Sequence, residues 1–346
     1  MREYGVGQSV PRVEDSRLLT GRGRYTDDSK VPNAAYMALV RSPHAAATID
    51  RIDTAAASAM PGVLAVLTGA DVVADGLGSL SCSVKRKQRD GSPMVEPPYP
   101  ILATDSVHLV GMAVALVVAE TLAQAIDAAE AVEVDYTPTG VITDTARALE
   151  PGVAEVWQEV LGNESFYFTL GNREAVETAF ASAAHTVSLD YVVTRVSANP
   201  MEPRAAIGFY DPADDKYTLY AGVQSPHRTR SELAPHVLRI PEGKLRVISP
   251  DMGGGFGMRG TPFVEHALVL WAAKRVGRPV RYNATRSESL ATDYHARDNV
   301  ARSELALDAD GRFLGMRLSS KANLGGYLSH SGPHSPTNNL GGLAGV

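Results

Sequence analysis

From Gly253 to Gly260 the chain places five glycines in eight residues, inside the stretch DMGGGFGMRG that begins at Asp251. Glycine tolerates positive φ and has no side chain to obstruct a ligand, so a run this dense marks a tight turn or a backbone pressed against another group. The run follows the strand-like LRVIS and precedes TPFVEHALVLWAAKRVG, whose apolar residues lie almost all round a helix and predict that the helix is buried. Strand, glycine loop and helix in that order present backbone N–H groups and a helix N-terminus to an anion, which suits a phosphate-bearing cofactor. Gly255, Gly257 and Gly260 also satisfy the G-x-G-x-x-G spacing of a dinucleotide fingerprint. A Rossmann unit then requires Asp or Glu at the end of the next strand, to hold the ribose hydroxyls. That strand, PVRYNATRSES, offers Asn283 and Arg286 before Glu288. An NADP-binding reading, with the arginine on a 2′-phosphate, stays open, as does a purely structural turn.

Other chemistries lack their central features. The chain has no G-x-S-x-G elbow and no G-x-x-x-x-G-K-[ST] loop, which removes the common hydrolase and P-loop readings. His330 and His334 are separated by Gly332 and Pro333, which forbid the helix that would put both on one face, and His227 and His236 flank a helical stretch and face different ways. The single cysteine, Cys82, makes no internal disulfide and cannot alone hold an iron–sulfur cluster or a structural zinc, so any cluster sits on another chain. Glu202 and Arg204, beside the prolines of NPMEPR, read as a structural ion pair. The basic cluster Lys85, Arg86, Lys87 and Arg89 lies in a loop, Ser83 to Pro100, whose four prolines and Gly91 break any periodicity. A solvated loop is the reading preferred there to a phosphate contact.

The elements that must position the glycine run come from a chain of 346 residues, 44% hydrophobic and 21% charged, which is ordinary globular composition and enough for about two domains. Net charge of −6 gives no general field to attract nucleic acid or an anionic membrane. The N-terminal MREYGVGQSVPRVEDS lacks a basic region followed by an apolar run, and the reading is cytoplasmic. Between Asn33 and Tyr136, AAYMALVRS, GVLAVLTG and GMAVALVVAE predict strands, with DTAAASAM and TLAQAIDAAEAV as helices, a compact α/β unit. The connection falls in YTPTGVITDTARALEPG. A second domain opens with strands in HTVSLDYVVTRVSA, AAIGFYD and KYTLYAGVQS, continues with the helical HRTRSELAPHVL, and returns to strand at KLRVISPD. Near the end, the strand in FLGMRLSSKANLGGY is expected to lack the partners that would bury it.

Five stretches in order, GQSVPRVEDSRLLTGRGRYTDD, MALVRSPHAAATI, NPMEPRAAIG, GVQSPHRTR and DMGGGFG, resemble the molybdopterin-binding large subunit of the xanthine dehydrogenase, aldehyde oxidase and carbon monoxide dehydrogenase family, over essentially the whole chain. The resemblance implies an α+β chain: an N-terminal arm (1–18), an α/β hammerhead domain (19–140), a linker (141–160) and the first part of a molybdenum cofactor-binding α/β domain (161–346). It implies that the side-chain amide of Gln224 hydrogen-bonds an oxo ligand of molybdenum, and that the main chain of Gly254, Gly255, Phe256 and Gly257 approaches a molybdenum–molybdopterin cofactor, in its bare or cytosine dinucleotide form. A solvent-facing Gln224 and a core-filling Phe256 are the plain alternatives. Xanthine-type members carry a glutamate shortly after the glycine run, where this chain has Gly260, which puts purine oxidation in doubt. The implied reaction is oxidation of an aldehyde, an N-heterocycle, carbon monoxide or a similar small molecule. Electrons leave to an iron–sulfur small subunit and an FAD-binding medium subunit, in a dimer of heterotrimers when the subunit is complete. Family subunits are about twice as long and carry the general-base glutamate in the part absent here, so no catalytic residue is nominated. The chain is expected to be a fragment, or one half of a split subunit whose other half is a second chain, that binds cofactor weakly or not at all when isolated. A non-catalytic interaction subunit of the same ancestry is the alternative.

Overall fold

A computed structural model describes residues 7 and 9–338 of the chain. What the sequence suggests for the rest of the N-terminal arm and for the closing NLGGLAGV lies outside the described residues. The first stretch forms α1 (Asp15–Leu18), β1 (Ala35–Arg41), β2 (Ala47–Asp53), α2 (Ala55–Ser58), β3 (Val63–Thr68) and α3 (Gly69–Ala74). It continues through the two-residue strands β4 (Ser79–Leu80), β5 (Tyr99–Pro100) and β6 (Ser106–Val107) to β7 (Ala113–Ala119), α4 (Leu122–Glu130) and β8 (Glu133–Pro138). The second stretch forms α5 (Arg173–Ser182), β9 (His185–Val193), β10 (Ala205–Asp211), β11 (Lys216–Ala221), α6 (Pro226–Glu232) and β12 (Leu245–Ile248). After it come α7 (Val264–Val276), β13 (Val280–Asn283), α8 (Arg286–Thr292), β14 (Asn299–Leu307) and β15 (Phe313–Ala322).

The central sheet has seven strands in the order β12-β11-β10-β13-β1-β7-β3, so it draws on both stretches. The join is a parallel pairing of β1 with β13, Ala35 opposite Val280. β7, AVALVVA, is buried at every position, which explains its unbroken apolar run: a strand covered on both faces needs no polar side. On one face lies α4, started by a capping box in which the Gln124 N–H donates to the Thr121 hydroxyl while the Gln124 side chain accepts from the Thr121 N–H at 3.1 Å. It buries Ala125 and Ala128, small enough to bring the helix close to the sheet. α7 is buried from Val264 to Ala273 and ends on Gly277 at φ 64°. It rests directly on β10, where a Cβ on Gly208 would stand 2.3 Å from the Val269 carbonyl oxygen.

Two smaller three-stranded sheets flank this core, β6-β2-β8 and β15-β14-β9. The second bears on the expectation for FLGMRLSSKANLGGY: β15 pairs with β14 from Phe313 to Ala322, yet none of its residues is buried, as that expectation has it. The connection after β8 is irregular but tied down. Thr145 donates to Asp298 at 3.1 Å, and the Trp157 indole donates to the Gly326 carbonyl at 2.6 Å while its ring stacks on His108 with centroids 3.6 Å apart. The loop from Ser83 to Pro100 keeps Lys85 and Arg89 exposed, at 62% and 60%, while its side chains are tied to neighbours. Arg89 makes a two-pronged pair with Glu164 at 2.7 Å and lies 3.8 Å over the Tyr167 ring, Lys85 pairs with Glu96, and Arg86 reaches Thr337. Among the described residues no helix is long and apolar enough to cross a membrane.

Candidate functional site

The glycine run leaves the end of β12 and is fixed on both sides before it turns. Ser249 exchanges two hydrogen bonds with the main chain of Val223, 3.2 Å as acceptor and 3.0 Å as donor, which ties the ends of β12 and β11 together. Asp251 donates its own N–H to the Arg24 carbonyl at 3.1 Å, and its carboxylate accepts the Arg24 N–H at 2.7 Å and both ends of the Arg17 guanidinium. The Arg17 hydrogen bonds, and then the Arg24 N–H, hold the Asp251 carboxyl down at about 2. The N-terminal arm thus anchors the entry to the loop.

Beneath the loop lies an ion pair that the sequence assigned differently. Glu202 does not pair with Arg204. Its Oε2 sits 2.6 Å from Nη1 of Arg259 and accepts the Gly253 N–H at 2.8 Å, while Arg259 Nη2 reaches the Glu202 carbonyl. The Arg259 carbonyl in turn accepts the Gln224 N–H at 3.0 Å. Arg259 is 3% exposed. One charge pair therefore joins the NPMEPR turn, the end of β11 and the glycine run. A Cβ on Gly253 would stand 2.4 Å from that of Glu202, which leaves no room for a larger residue there, and one on Gly255 would stand 2.6 Å from Cδ of Gln224, whose side chain would have to move aside.

Arg204 instead enters a second buried cluster. It donates to Glu265 at 2.9 Å and Thr292 at 2.6 Å, pairs with Asp293, and lies 4.5 Å over the Phe263 ring. Arg41 reaches the same Glu265 at 2.7 Å and Glu288 at 3.0 Å. Burial pushes the Glu265 carboxyl up, but the two guanidiniums outweigh it and hold the group below the usual carboxylate range. Burial also lowers His266 to about 4, with Arg204 and Arg259 acting in the same direction against Glu265. A neutral His266 suits its contact, since its Nδ1 accepts the Phe263 N–H at 3.3 Å. The first turn of α7 is thereby filled by the chain's own Glu265 and His266, so the donors left for an anion are those of the loop.

Those donors are free. The backbone turns through φ 114° at Gly254, 51° at Phe256 and 83° at Gly257. Among the described residues, none of the N–H groups of Gly254, Gly255, Phe256 and Gly257 donates a hydrogen bond to the protein, and the side-chain amide of Gln224, packed against Gly255, makes none either. Phe256 is 75% exposed, so it is not a core plug. The loop offers several neutral donors, and the one carboxylate described beside it, Glu202, is paired with Arg259. An oxygen-rich anionic cofactor fits that donor set. At Gly260 the Arg228 guanidinium donates to the carbonyl at 3.2 Å, so a cation stands beside that position.

The dinucleotide reading of Gly255-x-Gly257-x-x-Gly260 fails on topology. A Rossmann unit sets the strand after the helix beside the strand before it, whereas β12 and β13 are separated by β11 and β10. Arg286, the residue offered for a 2′-phosphate, gives its guanidinium to the NPMEPR turn, to Asn199 Oδ1 at 2.9 Å and to the carbonyls of Pro200 and Met201 at 2.8 and 2.7 Å. Of the histidines, His330 stands 3.4 Å from Glu232. Among the described residues no three His, Cys, Asp or Glu side chains gather as a metal site. Cys82 is buried beside Met94 and Leu328, and burial pushes its thiol up.

Comparison with known proteins gives the family. A family model described as the molybdopterin cofactor-binding domain matches residues 158–345, and one described as the aldehyde oxidase and xanthine dehydrogenase a/b hammerhead domain matches residues 20–139. The chain is 36% identical to the nicotine 6-hydroxylase large subunit of Paenarthrobacter nicotinovorans, across 93% of this chain and 38% of that one. It is 33% identical to the carbon monoxide dehydrogenase large chain of Hydrogenophaga pseudoflava, across 96% and 42%. The solved quinoline 2-oxidoreductase from Pseudomonas putida 86 matches its fold with a TM-score of 0.79 at 36% identity, over 91% of this chain and 39% of that one. The chain spans about two fifths of the length of these relatives.

Proposed function

The chain belongs to the aldehyde oxidase and xanthine dehydrogenase family, a hammerhead domain followed by a molybdopterin cofactor-binding domain, and on that premise we propose that it acts as the molybdenum-cofactor-binding large subunit, or part of it, of a molybdenum hydroxylase. One observation carries the reading: the N–H groups of Gly254 to Gly257 lack partners among the described residues, and the unbonded amide of Gln224 packs against Gly255. When bound, the cofactor supplies the two-electron redox chemistry that no side chain offers. The chain's own residues bind and orient. The Gln224 amide donates to a cofactor oxygen without adding charge, and its position is set from below by the bond from its N–H to the Arg259 carbonyl. The amide of Phe256 and its neighbours contribute further donors, pre-aimed by a loop anchored at Asp251, Gly253 and Arg259. Glu202, the carboxylate bound to this loop, has its Oε2 committed to Arg259 and Gly253, so it holds the loop rather than moving a proton. The general base belongs to the part of a family subunit that this stretch does not span.

The substrate class is an aldehyde, an N-heterocycle or carbon monoxide, with purines disfavoured by Gly260 and the adjacent Arg228. The cofactor is molybdopterin, with the cytosine dinucleotide form the preferred one. Iron–sulfur clusters and FAD reside on partner chains in a cytoplasmic complex. Purification of the chain with its co-encoded neighbours from a host that makes the cofactor tests the reading. It predicts co-purifying iron–sulfur and flavin chains and reduction of an artificial electron acceptor by an aldehyde or N-heterocycle. A complex with bound nucleotide but no such reduction with any of these substrates overturns it.

A further inference from the structure

The acidic groups described at the glycine run and on α6 are already committed. Glu202 pairs with Arg259, and Asp251, at the entry to the run, is held by Arg17. On α6, Glu232 accepts the Ser81 hydroxyl at 2.9 Å and faces His330, while Arg230 pairs with Glu242 at 3.1 Å. Arg228 has no such partner. It is exposed in the first turn of α6, and among the described residues no carboxylate pairs with it. Its Nη1 donates to the Gly260 carbonyl at 3.2 Å, and its Nε and Nη2 donate to nothing there. That one bond orients the guanidinium and leaves open the Nε–Nη2 side, an edge that a carboxylate meets through two parallel hydrogen bonds.

The cation also stands close to the donor read above as a cofactor contact. Arg228 Nη1 and Gln224 Oε1 lie 3.6 and 4.0 Å from the point where a Cβ on Gly260 would stand. Gly260 puts no side chain into that space, so a molecule lying beside the Gln224 amide comes within reach of a fixed positive charge. An ion pair in open water is worth little, but one that forms as a bound molecule displaces water is stronger. Such a charge favours a substrate that brings an anion of its own. Carbon monoxide offers it nothing to pair with.

We propose that Arg228 selects the substrate, pairing through Nε and Nη2 with a carboxylate carried by the aldehyde or N-heterocycle that the complex oxidises. The inference rests on the functional reading above and narrows it to acidic substrates. Binding and turnover of matched pairs test it in the complex purified from a cofactor-making host. Pyridine-3-carboxylate is set against pyridine-3-carboxamide, and 4-formylbenzoate against 4-formylbenzamide, so that each pair differs in charge and little in shape. In wild type at least one acid binds about tenfold or more tightly than its amide by equilibrium dialysis, and the ratio of their kcat/KM values follows. In Arg228→Met the preference shrinks to within about twofold, and Arg228→Lys, which keeps the charge without the fork, restores part of it. Molybdenum content and the unfolding midpoint stay at the wild-type level in both variants. Equal binding of acid and amide in wild type, or a preference that survives Arg228→Met, overturns the proposal. Loss of metal in Arg228→Met also overturns it, by assigning the arginine to an anionic part of the cofactor. The two readings fail separately. A metal-loaded complex that oxidises both members of each pair alike removes this inference alone, whereas a wild-type complex with neither metal nor turnover removes the functional reading on which it rests.

Discussion

Replacing Glu202 by Gln keeps the side chain's shape and an acceptor for the Gly253 N–H but removes the carboxylate that, among the described residues, pairs with the buried Arg259. Breaking a buried ion pair by removing one partner costs about 3–5 kcal/mol, because the remaining charge is left in a poorly solvated place. Arg259 retains the Glu202 carbonyl as an acceptor, and its partner is 13% exposed, so the lower end, about 3 kcal/mol, is the expected cost. Arg259→Met leaves the opposite orphan, a carboxylate with access to water, and is expected to cost about 2 kcal/mol. The double variant has neither orphan. Urea unfolding of the wild type, both single variants and the double variant gives a coupling energy, and a value of at least about 1.5 kcal/mol is expected. Amide exchange read in the same proteins adds a local signature: Gly253 and Gln224 lose protection, while Phe256 and Gly257, already unpartnered, do not change. Costs that add to within about 0.5 kcal/mol would refute the claim that this pair clamps the loop.

Three further outcomes follow from the same geometry. Asp251 has its folded pKa held below the ordinary aspartate value, so the stability it confers is present above pH 4 and is lost as the pH falls toward about 2. Asp251→Asn should flatten that part of the acid unfolding curve relative to wild type, and parallel curves from pH 5 to 2 would count against the Arg17 anchor. Gly208→Ala drives a methyl into the Val269 carbonyl and should cost about 1–3 kcal/mol by urea titration, whereas Gly243→Ala, with nothing within 4 Å and an ordinary φ, should cost less than about 1. Arg228→Ala removes the cation beside Gly260 and should change the KM for substrates of the complex with little effect on unfolding.

Periodicity made much of the fold legible. The unbroken apolar run of β7 and the all-round apolar α7 announced buried elements, and both are buried. β2 and β8 were missed because ATIDRID and EVDYTP interleave charges with apolar residues, the pattern of strands with one solvated face, and their pairing with each other is not visible locally. The assignment of Glu202 to Arg204 followed proximity along the chain, yet each found its partner in a distant segment, Arg259 and Glu265, through packing that no spacing rule encodes. Asp251 and Arg17, 234 residues apart, escaped for the same reason. The glycine run was readable because φ beyond 50° and contacts closer than a Cβ allows leave glycine few substitutes; Phe256, which shares that φ, was singled out only through the family resemblance.

The central claim is that the N–H groups of Gly254 to Gly257 and the Gln224 amide together hold the cofactor. Molybdenum content is the direct measurement, made on the complex purified from a cofactor-making host, for wild type, Gly255→Ala and Gly243→Ala. A methyl at Gly255 collides with Cδ of Gln224, 2.6 Å from the added Cβ, so it displaces the amide without touching any charge. The account predicts near-stoichiometric metal in wild type and Gly243→Ala and a loss of about tenfold or more in Gly255→Ala, the scale seen when groups that orient a metal site are removed. Equal metal in all three, or none in the wild-type complex, would contradict it.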